Sequence, residues 1–172
     1  MRRTMPNDYT ISLEELSDKF IDEYLKLIND QKVSETTEPG EELEPFSREK
    51  ALQWLQSLKD KNDRADFAII KNSTNEFVGE VVINEIKNNI GNIRIAILPK
   101  FFDQGFGTQA MKLAIDHGFK NLELKVITLS VYEINPRGIK VYKRLGFKEL
   151  RRELDDKYME IFMELHKKDW DR

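Results

Sequence analysis

A strand that runs through two closely spaced glycines straight into a helix constrains this chain more than any other stretch. Between Asn92 and Phe119, an apolar strand, Ile93 to Leu98, passes through Pro99-Lys100-Phe101-Phe102 into Asp103-Gln104-Gly105-Phe106-Gly107-Thr108, and helical periodicity follows. Gly105 and Gly107 lack a Cβ, so both are expected to allow unusual backbone conformations and to expose successive N–H groups to an anion. The helix expected from Thr108 adds unpaired amides and the positive end of its dipole. The spacing fits a phosphate cradle, and equally a plain strand-to-helix turn, so the rest of the chain has to decide.

At 172 residues, one domain with a sizeable core is the expectation, spanning 1–172. With 40% hydrophobic and 34% charged residues, and only 8 Gly and 5 Pro, the composition is that of a folded chain. A net charge of −3 gives no general attraction to nucleic acid or to an anionic membrane. No cysteine is present, which excludes disulfides, thiolate nucleophiles and cysteine metal sites. His117 and His166 lie far apart without a ligand-spaced partner, so no metal site is expected. Met1 to Asp8 holds two arginines with no apolar run after them, and with no membrane span the expected location is cytoplasmic.

In chain order, Tyr9 to Leu13 alternates as a short strand, and Glu14-Glu15 is expected to open a helix through Leu16, Phe20, Tyr24, Leu27 and Ile28. A long acidic loop, Glu35 to Phe46, should follow, and then a helix capped by Ser47 that carries Ala51, Leu52, Trp54, Leu55 and Leu58. Three strands are expected at Asp66 to Lys71, Glu76 to Ile86 and Ile90 to Leu98, antiparallel because their links are short. The cradle helix, Thr108 to about Lys120, should bury Met111, Ala114, Ile115 and Phe119. The next strand, Lys125 to Tyr132, can then lie parallel to the Ile93 strand. Asn135-Pro136 starts a helix that Gly146 ends, and the tail reads as two strands joined around Asp155-Asp156. The reading is an α/β (α+β) domain: a mixed, mainly antiparallel twisted sheet flanked by helices.

That order, with Gly105-Phe106-Gly107 and the run Asn135-Pro136-Arg137-Gly138-Ile139-Lys140-Val141-Tyr142-Lys143-Arg144-Leu145-Gly146-Phe147, resembles the GNAT superfamily of acyl-CoA-dependent N-acetyltransferases. The branch looks like that of ribosomal-protein N-terminal and spermidine N-acetyltransferases. The resemblance implies acetyl-CoA as co-substrate, its pantetheine and pyrophosphate held by the strand and the glycine turn. It implies an Asn for the cofactor, here Asn135, and a Tyr near the thioester sulfur, here Tyr142. One departure stands out: the family pattern places Arg or Gln three residues before the first glycine, and this chain has Phe102. Weaker binding is expected, with backbone amides carrying the site and Gln104 donating from nearby. Backbone groups of Ile97 and Leu98 are the candidates to pair with pantetheine amides, provided the two parallel strands splay.

Acetyl transfer to an amine needs an unprotonated amine, a polarised carbonyl and a proton donor for the departing thiolate. Tyr142 suits the last role, because a phenol at roughly pKa 10 stays protonated beside a thiol at roughly 8.5. Spacing alone equally allows a core aromatic, and Asn135 equally allows a plain N-cap. For the base, Glu80 lies between Val78 and Val82 on one strand face, and Glu133 continues the face of Leu129 and Val131. Either is a candidate for partial burial with a raised pKa, or else an exposed strand-end charge. Position 92, where relatives often carry Glu, is Asn, and Arg94 follows it. Without cysteine, direct attack in a ternary complex is expected.

Glu35, Glu38, Glu41, Glu42 and Glu44 stand in the acidic loop without a basic residue. Either they form a solvated loop, or Glu38, Glu41 and Glu42 attract a cationic amine: a polyamine, an aminoglycoside or a basic peptide N-terminus. A non-catalytic CoA-binding module on the same fold is the rival reading. A dinucleotide binder fits less well, since no Walker Lys-Ser/Thr follows Gly107. An exposed sheet edge allows either a monomer or a homodimer.

Overall fold

Runs of Ile, Val and Phe in the middle of the chain dictate a sheet buried on both faces. The structure, a computed structural model, describes residues 9–40 and 44–170. Seven strands form one sheet: β1 (Ile11–Glu15), β2 (Ala65–Lys71), β3 (Glu76–Lys87), β4 (Ile90–Ile97), β5 (Val126–Tyr132), β6 (Lys148–Asp155) and β7 (Tyr158–His166). Their spatial order is β1-β2-β3-β4-β5-β7-β6, and every neighbouring pair is antiparallel except β4 with β5. The mixed sheet follows from the connections. Tight turns join β2, β3 and β4, whereas helix α4 (Phe106–Lys120) carries the chain from β4 to a parallel β5.

The strands alternate side chains between two cores. On one face, Val81, Ile83 and Ile93 pack with Met111, Ala114, Ile115 and Phe119 of α4, all buried as the helical spacing requires. On the other, Ala68, Ile70 and Phe77 meet α1 (Ile21–Ile28), α2 (Gln31–Thr37) and α3 (Arg48–Ser57) through Tyr24, Leu27, Val33, Ala51 and Leu55. Helix α5 (Pro136–Leu145) follows β5 and ends on Gly146 in the left-handed region, and a short α6 (Lys167–Trp170) closes the described chain. No helix among the described residues is long and apolar enough to cross a membrane.

Three local expectations need correction. Glu14 and Glu15 do not open a helix; they extend β1 opposite Ala68 and Phe67, and the first helical turn waits until Asp18–Phe20. Ladder pairing outweighs a pair of acidic residues that only favour a helix start. The acidic segment is not loop throughout, because α2 reaches Thr37 and contains Glu35. Asp30 caps that helix, accepting from the backbone N–H groups of Lys32 (2.8 Å) and Val33 (3.1 Å). The cradle helix begins at Phe106, not Thr108.

The close approach of β3 to β4 depends on Gly79, which lies opposite Ile97. A Cβ there would stand 2.1 Å from the Ala96 carbonyl oxygen and 2.9 Å from the Ile97 Cα, backbone atoms that cannot swing aside. Gly79→Ala is expected to destabilise the fold by about 1–3 kcal/mol in chemical denaturation, through forced separation of the two strands. An unchanged midpoint would show that β4 has slack at this position.

Candidate active site

The parallel pairing of β4 and β5 is short. Ile90, Gly91 and Asn92 face Val126, Ile127 and Thr128, and beyond that point the strands part. β4 continues to Ile97 along β3, and β5 continues to Tyr132 along β7, so the sheet opens as a V with unpaired backbone on its inner edges. In that opening the two candidate backbone positions differ. The Leu98 N–H donates to the Val78 carbonyl (2.9 Å) and the Leu98 carbonyl accepts from the Phe101 N–H (2.9 Å), so both backbone groups of Leu98 already have a partner within the chain. Alternation along the strand turns the N–H and carbonyl of Ile97 the other way, toward the opening.

Past the end of β4, a 3₁₀ turn, Pro99–Phe101, leads to the glycine turn. Gly105 is the N-cap of α4 with φ +79°, in the left-handed region, and open space surrounds the position of its missing Cβ. Gly107 is already helical and a Cβ there would make ordinary contacts at 3.9 Å and 4.0 Å, so only one of the two glycines is needed for backbone conformation. The second left-handed residue is Asp103 (φ +62°), which the glycine spacing did not indicate. The first bond of the helix runs from the Gln109 N–H to the Gly105 carbonyl (3.2 Å), leaving the amides of Phe106, Gly107 and Thr108 without helical partners. Those three N–H groups and the positive end of the helix dipole are the features that suit an anion. Gln104 is less free than expected, since its side-chain amide donates to the Lys100 carbonyl (3.2 Å). A cation from another element stands here: Arg137 of α5 lies over the Phe102 ring at 4.9 Å and pairs with Asp103 at 3.2 Å. Tertiary structure alone brings it to the slot where Phe102 replaces a donor.

On the α1–α3 face, a cavity of about 420 Å³ adjoins β3 and β4, lined by Tyr24, Phe46, Trp54, Glu80 and Arg94 among others. Glu80 is 7% exposed, and burial pushes its carboxyl up to about 7, with Arg94 pulling the other way. Tyr24, 6% exposed and also pushed up by burial, stands near enough for the Glu80 charge to act on it. Arg64 is fixed by two hydrogen bonds to Asp66, at 2.7 Å and 2.8 Å, and stacks on Trp54 at 4.8 Å. Glu133, the other base candidate, is not buried: its side chain is 58% exposed and its carboxylate pairs with Arg152 at 3.4 Å. Strand alternation misjudged it because Glu133 lies just past the end of β5, where the sheet no longer covers it.

Asn135 caps α5, its Oδ1 accepting from the Gly138 N–H (3.1 Å). That leaves its NH₂ group for another partner. Tyr142 lies on the inward stripe of α5 with Ile139, its ring edge-on to Phe147 at 6.3 Å, and burial pushes its phenol up to about 12. Of the acidic trio, Glu38 lines the cavity from the end of α2, while Glu41 and Glu42 lie outside the described residues. Among the described residues, no group of three or more acidic or histidine side chains is placed to hold a metal ion.

A seven-stranded mixed sheet, split between its parallel strands and with a helix N-terminus at the split, defines an α/β domain with a cleft of the kind that suits an anionic ligand. Residues 11–148 match the family model described as "Acetyltransferase (GNAT) domain", and the chain belongs to that family. Spermidine N(1)-acetyltransferase of Escherichia coli (strain K12) is 32% identical over 108 residues, covering 60% of this chain, so the chain spans about half (56%) of that relative's length. An N-acetyltransferase 9-like protein of Caenorhabditis briggsae is 26% identical over 158 residues, covering 84% of this chain and 77% of that protein. Among solved structures, spermidine N-acetyltransferase from Vibrio cholerae in complex with CoA and spermine superposes with a TM-score of 0.84 at 20% identity. That match covers 94% of this chain and 98% of the other.

Proposed function

We propose that this chain transfers an acetyl group from acetyl-CoA to a primary amine by direct attack in a ternary complex. The observation that carries the reading is the buried carboxylate of Glu80, set beside a strand pair that splits open next to an anion-binding helix end. The residues present fit acetyl-CoA. The free amides of Phe106, Gly107 and Thr108 suit its pyrophosphate, the outward backbone of Ile97 suits a pantetheine amide, and the Asn135 NH₂ faces no competing cap bond. Arg137 adds a guanidinium where Phe102 removes a donor.

When bound, acetyl-CoA supplies an acetyl group activated as a thioester. Glu80 takes one proton from the incoming ammonium, which a carboxyl titrating near 7 does efficiently at neutral pH. The freed nitrogen forms the new C–N bond as the C–S bond breaks. Tyr142 gives its proton to the departing sulfur and regains one from the new amide nitrogen, while the proton on Glu80 leaves to solvent. Asn135 and the α4 amides orient the donor, and the α1–α3 roof keeps bulk water from Glu80.

The test is thiol release from acetyl-CoA against a panel of amino acids, peptides, aminoglycosides and polyamines, with mass spectrometry of the products. Acetylation of at least one amine, dependent on Glu80, is expected. CoA binding without acetylation of any amine would instead favour a CoA-binding regulatory module.

A further inference from the structure

Among the described residues, the lining of the cavity that holds Glu80 is not the acidic one that would suit a polyamine. Of these described lining residues, Glu38 and Glu80 are acidic while Lys50, Arg64 and Arg94 are basic. Arg64 is neutralised by the forked contact with Asp66. Arg94 has no ion pair within 4 Å among the described residues, yet its charge acts on both Glu80 and Tyr24. When Glu80 holds a proton, Arg94 and Lys50 outnumber Glu38 among the described lining residues, and a second ammonium beside them would meet like charge.

Register fixes how the two groups relate. Glu80 lies opposite Ala96 and Arg94 opposite Val82, so Glu80 and Arg94 are diagonal neighbours on one face of the β3–β4 ladder. Such neighbours stand roughly 7–8 Å apart at Cα. Both side chains line the same cavity, one buried at its floor and the other exposed toward its mouth. An ammonium at Glu80 would therefore sit a few bonds from a guanidinium, whose planar fork matches a carboxylate.

From this arrangement we infer that the acceptor is a primary amine bearing its own carboxylate, an amino-acid-like zwitterion, with Glu80 receiving the amine and Arg94 holding the carboxylate. The inference rests on the acetyl-transfer reading above and narrows its acceptor to one charge class. Polyamines, which carry only positive charge, become poor substrates under it, despite the likeness of the fold.

The experiment compares free α-amino acids, the matching amino-acid amides, acidic dipeptides, and spermidine with spermine, on wild type, Arg94→Gln and Arg94→Lys. Expected is a kcat/KM at least tenfold higher for carboxylate-bearing amines than for their amides or the polyamines. Arg94→Gln should abolish that preference by raising KM for the carboxylate substrates alone, with partial rescue in Arg94→Lys. The dipeptide arm separates a free amino acid from a peptide N-terminus as the source of the carboxylate. Equal or better turnover of amides or polyamines overturns the inference and leaves acetyl transfer standing. If no amine is acetylated, acetyl transfer fails instead, and thermal shift of the CoA-loaded protein with the same panel still decides the role of Arg94. Stabilisation by amino acids over their amides, lost in Arg94→Gln, supports it; no difference overturns it.

Discussion

Replacing Glu80 with glutamine is expected to remove most of the turnover and, in the same variant, to raise the melting temperature at pH 8. Loss of a positioned general base costs on the order of 10²–10⁴ in rate. The stability gain has a separate origin. Glu80 is buried, and its carboxyl is raised from 4.5 to about 7, mainly by desolvation. Because the folded pKa lies above the unfolded one, the contribution is fully present below pH 4.5 and is lost as pH rises through 7. Above that the wild type carries a buried carboxylate at a cost on the order of 3 kcal/mol. Glutamine keeps the shape without the charge, so the variant should melt several degrees higher at pH 8 and nearly level with wild type at pH 4.5. The groups facing Glu80 are Arg94 on β4, Asp66 on β2, Arg64 just before it and Tyr24 on α1. For wild type, kcat/KM should rise with pH through about 7. Melts and pH-rate profiles of both proteins check this; a Glu80→Gln variant with full activity, or one less stable than wild type at pH 8, contradicts it.

Tyr142→Phe carries the second large effect. With its phenol pushed up to about 12 by burial, Tyr142 holds its proton throughout the working range, so its hydroxyl can hydrogen-bond the departing sulfur and pass a proton to it only as it regains one from the new amide nitrogen. The ring packs against Phe147, a contact that phenylalanine preserves. Removing the hydroxyl should therefore lower kcat by about 10²-fold or more, with CoA affinity and melting temperature close to wild type. A kcat within a few-fold of wild type would reduce Tyr142 to a packing residue.

What the sequence revealed follows from which interactions are local. Hydrophobic periodicity set β2 to β4 and the buried stripe of α4, and capping chemistry set α3 at Ser47, whose hydroxyl accepts from Lys50 (3.2 Å), and α5 at Asn135. Helix α2 escaped because it is seven residues long with only Val33 buried, too short a run to show a period. Glu80 was visible as a carboxylate amid apolar strand neighbours, but Glu133 had the same signature, and only the sheet's extent separates them. The V between β4 and β5 leaves no local mark, since Ile93 to Ile97 reads as an ordinary strand whether or not a neighbour accompanies it. Arg94 and Arg137 gain meaning only from partners brought near by the fold: Arg94 from the cavity it shares with Glu80, Arg137 from Phe102 and Asp103.

The most direct test of the central claim is calorimetric titration of the chain with acetyl-CoA, CoA, NAD and ATP in parallel. One saturable site for both CoA species, with NAD and ATP binding far more weakly, is the predicted result. No binding of CoA, or preferential binding of NAD or ATP, would contradict the assignment of the split strands and the α4 N-terminus to an acyl-CoA donor.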